Sequence, residues 1–129
     1  MWIAADIQQI VPVIAVANVK EAIDWYQRIL GFKAGYINRD TSDETGKSWT
    51  YALLDNNGAQ IHLAKIVTDD ATLSSPCNCY LFVENIHALH EHLTTLQADV
   101  KPLQAMPWGN LECWLHDPYG NRLVLSAEG

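Results

Sequence analysis

Residues 106–125 read MPWGNLECWLHDPYGNRLVL. Two short strands, 111–116 and 121–125, flank the turn Asp117-Pro118-Tyr119-Gly120. Pro118 presets φ at the second turn position, Gly120 tolerates positive φ, and Asp117 can cap the backbone just beyond it. The flanks alternate as half-buried strands do, with Leu111, Cys113 and Leu115 on one face and Glu112, Trp114 and His116 on the other.

The chain writes this hairpin twice. Asp55-Asn56-Asn57-Gly58-Ala59-Gln60-Ile61-His62-Leu63 repeats as Asp117-Pro118-Tyr119-Gly120-Asn121-Arg122-Leu123-Val124-Leu125, 62 residues on. Val16-Ala17-Asn18-Val19 echoes as Val83-Glu84-Asn85-Ile86, 67 residues on, and Ala22, Tyr26 and Ile29 match Leu89, Leu93 and Leu96. Each half therefore reads as strand, helix, then a run of strands, and the chain as a duplicated module.

Working outward, the pattern predicts a tail or edge strand over 1–9, where Trp2 and Ile3 are too apolar to dangle. A strand follows over 10–16, then a helix over 19–30 capped by Asn18 and ended by Gly31. Its buried stripe is Val19, Ala22, Ile23, Tyr26, Ile29 and Leu30. Strands over 32–39, 48–54 and 59–66 complete the first module, with a solvated loop at 40–47. A connector spans 67–77, and the second module places a strand at 78–83, a helix at 86–96 and a strand at 100–106 before the hairpin. The reading is α+β, one domain over 1–129, with module 1 at about 10–66 and module 2 at about 78–127.

Composition narrows the function classes. Hydrophobic residues at 49% and charged residues at 18% mark a globular chain rather than a disordered one. The net charge of −7 leaves no basic stripe to neutralise phosphate, which argues against nucleic acid. No apolar run is long enough to span a membrane, and the start lacks the basic residues of a signal peptide. Three cysteines, an odd number, suit a reducing cytoplasm better than a disulfide framework. Cys77 and Cys79 share a face, as a metal pair or as buried free thiols. His87, His90 and His92 match no metalloprotease motif, and Ser74-Ser75 has no partner base in view.

The motif V-x-N-V-x-x-A-I-x-W-Y-x-x-I-L-G-F at 16–32, with P-W-G-x-x-E-x-x-x-x-D-P-x-G-N-x-L at 107–123, resembles the vicinal oxygen chelate superfamily of glyoxalases, bleomycin resistance proteins and dioxygenases. Pro107-Trp108-Gly109 with Glu112 is most similar to the bleomycin resistance branch. The resemblance implies two βαβββ modules forming a cupped mixed sheet with helices on its outer face, and a ligand held in the cup. It also implies a homodimer whose cups are completed across the interface. Catalytic members of the superfamily carry His, Gln or Glu at four cup positions, which fall here on Val11, His62, Asn78 and Val124. Two valines cannot ligate, so the resemblance implies no metal and no cofactor, with His62 as a hydrogen-bonding wall residue.

Strand parity turns Val13, Ala15, Gln60, His62, Asn78, Tyr80, Phe82, Glu112 and Trp114 into the cup. Trp108 stands on the turn beside it. The expected ligand-binding set is Trp108, Glu112, Trp114, His62, Gln60, Asn78, Tyr80 and Phe82, with no catalytic residue. Aromatic faces beside a carboxylate suit a planar, cationic aromatic ligand. The leading expectation is non-enzymatic sequestration of such a molecule. A glyoxalase-like lyase, isomerase or dioxygenase with an atypical metal set around His62 and Glu112 is one alternative; a dimeric scaffold with a filled cup is another.

Overall fold

The computed structural model describes residues 4–66 and 76–129. The expected docking of Trp2 and Ile3, most of the connector and the Ser74-Ser75 pair lie outside the described residues.

Two sheets carry the duplicated plan. The first has the order β1(Val13–Val16), β4(Ala59–Lys65), β3(Tyr51–Asn56), β2(Lys33–Asn38), with β1 parallel to β4 and the others antiparallel. The second has the order β5(Asn78–Phe82), β9(Arg122–Glu128), β8(Asn110–His116), β6(Asp99–Val100), with β5 parallel to β9 and the short β7(Gln104–Ala105) also pairing β8. Helix α1(Val19–Leu30) packs on the first sheet and α2(Ile86–Thr95) on the second. The architecture is the α+β fold read from the repeat, with one sheet and one helix per module.

Helix α1 begins and ends where its caps dictate. Asn18 is extended and its side chain accepts from Glu21 N at 3.0 Å. Gly31 takes φ 75°, a left-handed conformation that a Cβ disfavours, and its N–H reaches Gln27 O at 3.0 Å. The spacing 19, 22, 23, 26, 29 turns one stripe inward against Ile14, Val16, Leu54, Ile61 and Leu63. Full burial of each large apolar side chain in that stripe contributes about 1.5–3 kcal/mol. Asn85 repeats Asn18 in sequence but sits at φ 51° and makes no side-chain cap bond.

Several strand expectations are corrected. The segment from residue 4 to residue 12 is irregular, neither edge strand nor the start of β1; Pro12 has no N–H to donate, and its carbonyl accepts from His62 N. The strand expected at 48–54 runs instead over Tyr51–Asn56, because Trp49 turns inward from the end of the loop. The single strand expected over 100–106 breaks into β6 and β7. Lys101-Pro102-Leu103 lie opposite only Cys113 and Trp114, so the edge carries one extra residue where Pro102 has no ladder donor.

The modules are joined through the β8–β9 turn. Asp117 Oδ2 accepts from Tyr26 Oη and Asn121 Nδ2, both at 2.8 Å, while Oδ1 accepts from the backbone N–H of Tyr119 and Asn121. Asn121 Nδ2 also donates to Ala15 O at 3.0 Å, Asn121 Oδ1 accepts from Cys77 N at 2.7 Å, and Tyr119 Oη donates to Asn18 O. Asp117 and Asn121 are buried, and these bonds satisfy the groups that burial takes from water. Burial, then the charge of Asp117, holds the Tyr26 hydroxyl far above an ordinary phenol. The matching turn of the first module is solvent-exposed at Asp55, Asn57 and Gly58, and a groove of about 890 Å³ separates it from β5 and α2.

Candidate functional site

Register decides which side chains share the face of the second sheet turned away from α2. Asn78, Arg122 and His116 form one cross-strand row; Tyr80, Val124 and Trp114 form the next; Phe82, Ser126 and Glu112 form the third. The alternate residues Cys79, Leu81, Leu123, Leu125, Cys113 and Leu115 pack toward α2 and the core. Five of the eight expected ligand residues, Asn78, Tyr80, Phe82, Glu112 and Trp114, therefore fall on one surface.

That surface is an aromatic layer with a buried acid beneath it. Tyr80 and Phe82 stack at 6.0 Å and 28°, and Phe82 remains 77% exposed. Trp114 is 40% exposed, whereas Glu112 is only 1% exposed. The Glu112 carboxylate accepts from Tyr80 Oη at 3.2 Å and from Ser126 Oγ at 2.9 Å, and Ser126 in turn accepts from Asn110 Nδ2 at 3.1 Å. Partial desolvation, then the charge and hydrogen bond of Glu112, raises the Tyr80 phenol, while Arg122 pulls it the other way. The Tyr80 proton therefore stays in place to hold the acid. Glu112 and Trp114 line a cleft of about 410 Å³ with Gln104, Met106 and the bulge at 101–103.

The remaining expected residues are distributed elsewhere. Trp108 stands 63% exposed on the 106–109 turn and lines neither cleft. Gln60 lies on the first sheet, accepts from Gln9 Nε2 at 2.9 Å, and lines the intermodule groove with Tyr80 and Phe82. His62 is partnered with Tyr51: its Nδ1 and the Tyr51 hydroxyl are 2.7 Å apart in a hydrogen bond, with the rings edge to face. His90 Nε2 lies 3.0 Å from Lys101 O, and His87 and His92 are exposed.

Arg122 is absent from the cup set expected from the sequence. Arg122 lays its guanidinium 4.2 Å from the centre of the Trp114 ring, and its Nε donates to Asn78 Oδ1 at 3.0 Å. One face of Trp114 thus already carries a cation. The register of β9 puts Arg122 on this face, and which aromatic ring it covers is a tertiary choice. Trp49, at the end of the 40–47 loop, is buried, with Arg39 at 4.7 Å and Lys20 at 5.7 Å from its ring.

The superfamily's metal positions do not fit an ion here. Val11 and Val124 offer no donor atom, His62 Nδ1 is engaged by Tyr51, and Asn78 Oδ1 is engaged by Arg122. Among the described residues no group of three or more His, Cys, Asp or Glu side chains converges. Burial raises the thiols of Cys77 and Cys79, and that of Cys113 to about 11, so all three are protonated at neutral pH.

No curated protein matches the chain. Among solved structures, the fold is similar to a glyoxalase-related enzyme from Clostridium phytofermentans (18% identity, 97% of this chain and 98% of that one, TM-score 0.77). It is also similar to the bleomycin-binding protein from bleomycin-producing Streptomyces verticillus, solved with copper(II)-bleomycin (20% identity, 98% and 100%, TM-score 0.72). TioX from Micromonospora sp. ML1 is a third (20% identity, 95% and 97%, TM-score 0.71). At these identities the likeness establishes the fold alone. The sequence profile of the Glyoxalase/Bleomycin resistance protein/Dioxygenase superfamily matches residues 7–125, nearly the whole chain, and the chain belongs to that superfamily.

Proposed function

We propose that this chain is a binding protein of the bleomycin resistance type, which sequesters a flat aromatic molecule bearing a cationic group and performs no chemistry on it. The observation that carries the reading is Glu112, a buried carboxylate that Tyr80 and Ser126 fix in the wall of the cleft lined by Trp114. A carboxylate in that setting attracts a cation more strongly than an exposed one, because little water screens it. The surrounding module favours the same sign. Between residues 76 and 129 the basic residues are Lys101 and Arg122, against Glu84, Glu91, Asp99, Glu112, Asp117 and Glu128.

The wall of Tyr80, Phe82 and Trp114 supplies stacking surface, each good contact worth about 0.5–1.5 kcal/mol beyond its area. Trp108, exposed on its turn outside the cleft, offers a further aromatic face to a ligand that extends beyond it. Two copies complete the site, since the exposed Val13, Tyr80 and Phe82 offer an apolar surface that association would cover. Three free cysteines suit a reducing compartment such as the cytoplasm.

Calorimetric titration with bleomycin and with the flat cation aminoacridine tests the reading. Glu112→Gln should weaken binding about ten- to a hundredfold, as loss of one desolvated charge partner implies. Trp108→Ala, on an exposed turn and free of packing cost, should weaken it as well. Absence of binding tighter than about millimolar, or unchanged affinity in both variants, overturns the assignment.

A further inference from the structure

We infer that the ligand is bipolar: besides its cationic group it carries an anionic one, a carboxylate, which pairs with Arg122. The inference rests on the aromatic-ligand reading above and extends it to the other end of the same wall.

Arg122 is held as an anion receptor is held. Its Cζ lies 4.2 Å from the centre of the Trp114 ring, and its Nε is anchored by Asn78 Oδ1 at 3.0 Å. Among the described residues its two Nη groups make no hydrogen bond and no ion pair; the ion pairs found are Lys101–Asp99 at 3.3 Å and His116–Asp99 at 4.0 Å. A guanidinium anchored at Nε against an aromatic ring, with both Nη groups unused, matches the two oxygens of a carboxylate.

The neighbours add donors rather than competitors. Asn78 spends Oδ1 on Arg122, which leaves its amide N–H groups. His116 is the direct cross-strand partner of Arg122, and opposed side chains there start about 4.5–5.5 Å apart. The acid next along the row, Asp99, is paired with Lys101. Glu112 lies two residues from Trp114 on β8, about 7 Å along the strand, so opposite charges bracket a single aromatic patch. A simple planar cation would satisfy Glu112 and meet Arg122 as a repulsive neighbour. A flat molecule with a carboxylate on the far side satisfies both.

Three probes separate this inference from the reading beneath it: aminoacridine, its ring-carboxylated derivative, and acridine carboxylate, which lacks the cationic amine. Each is titrated into the wild type, Arg122→Met and Arg122→Lys, with thermal melts confirming that each variant folds. In the wild type the carboxylated aminoacridine should bind about tenfold or more tighter than aminoacridine, the gain expected of one bidentate charge-assisted pair. That ratio should fall to near one in Arg122→Met. Arg122→Lys, which keeps the charge and loses the planar fork, should retain only part of it. A ratio near one in the wild type, or a ratio that survives Arg122→Met, overturns the inference while leaving the cation reading intact. If aminoacridine does not bind at all, the cation reading fails and acridine carboxylate decides. Binding that Arg122→Met abolishes supports the anion site; no binding, or binding indifferent to the substitution, removes it. Should Arg122→Met fail to fold, Arg122→Lys and Asn78→Ala carry the comparison, both lowering the ratio if the fork and its anchor matter.

Discussion

The hydroxyl of Tyr26 on α1 donates to Asp117 Oδ2 in the β8–β9 turn at 2.8 Å, across 91 residues of chain. It joins the helix of one module to the turn of the other in a buried setting. Tyr26→Phe leaves a buried carboxylate oxygen short of a donor and should cost about 1–3 kcal/mol. Asn121→Leu strands the Ala15 carbonyl and the Cys77 N–H and takes one of four donors from Asp117, and should cost more than Tyr26→Phe. Urea denaturation of both variants, read as a shift in midpoint at constant slope, checks the order.

Alkaline pH should loosen the same joint. Burial, then the charges of Glu21 and Asp117, pushes the Tyr119 hydroxyl up to about 12 from 10.0, and Tyr26 is raised in the same direction. A phenol that holds its proton longer in the native state contributes stability present in full below pH 10. That contribution is lost as pH rises through the native value, because the unfolded chain ionises first. The thermal midpoint should therefore fall between pH 10 and 12, less steeply in Tyr119→Phe. A flat profile across that window would contradict the assignment.

Metal content gives an independent check on the site. Protein prepared without chelator should carry no stoichiometric Zn, Fe, Mn or Ni by elemental analysis, because two of the four superfamily positions are valines. Near-equimolar metal that disappears in His62→Ala, together with an activity, would replace the binding reading with an enzymatic one.

Association should be visible in sedimentation. With Phe82 77% exposed beside Tyr80 on one sheet and Val13 on the other, the chain should run as a dimer at roughly tens of micromolar. Phe82→Glu should shift it toward monomer with the fold intact, its melting temperature falling only by what association had added. A wild-type monomer at that concentration rules out a site completed by a second copy.

Legibility followed the range of the forces involved. The bounds of α1 were readable because Asn18 and Gly31 act within one turn of the residues they cap. The grouping of Glu112 with Trp114 was readable because strand parity is local, and the repeat supplied the rest of the topology. The break at Pro102 had a signal, a proline inside a predicted strand, that the alternation of its neighbours outweighed. Asn121 had one too: it stands where the first copy has Ala59, and a polar residue at that point marks the joint. Arg122 over Trp114 and the burial of Trp49 against Lys20 and Arg39 had none, since cation and ring are brought together by packing.

Apart from the Tyr26–Asp117 bond, the intermodule joint addresses main-chain atoms. Asn121 bonds the carbonyl of Ala15 and the N–H of Cys77, and Tyr119 bonds the carbonyl of Asn18. Every residue type presents the carbonyl alike and every one but proline the N–H, so side chains at positions 15 and 77 can drift without breaking the bonds to Asn121. The constraint that keeps the two halves in register therefore falls on one five-residue turn and on Tyr26. In an alignment of relatives, Tyr26, Asp117, Tyr119 and Asn121 should vary little while the other surfaces the turn grips vary freely.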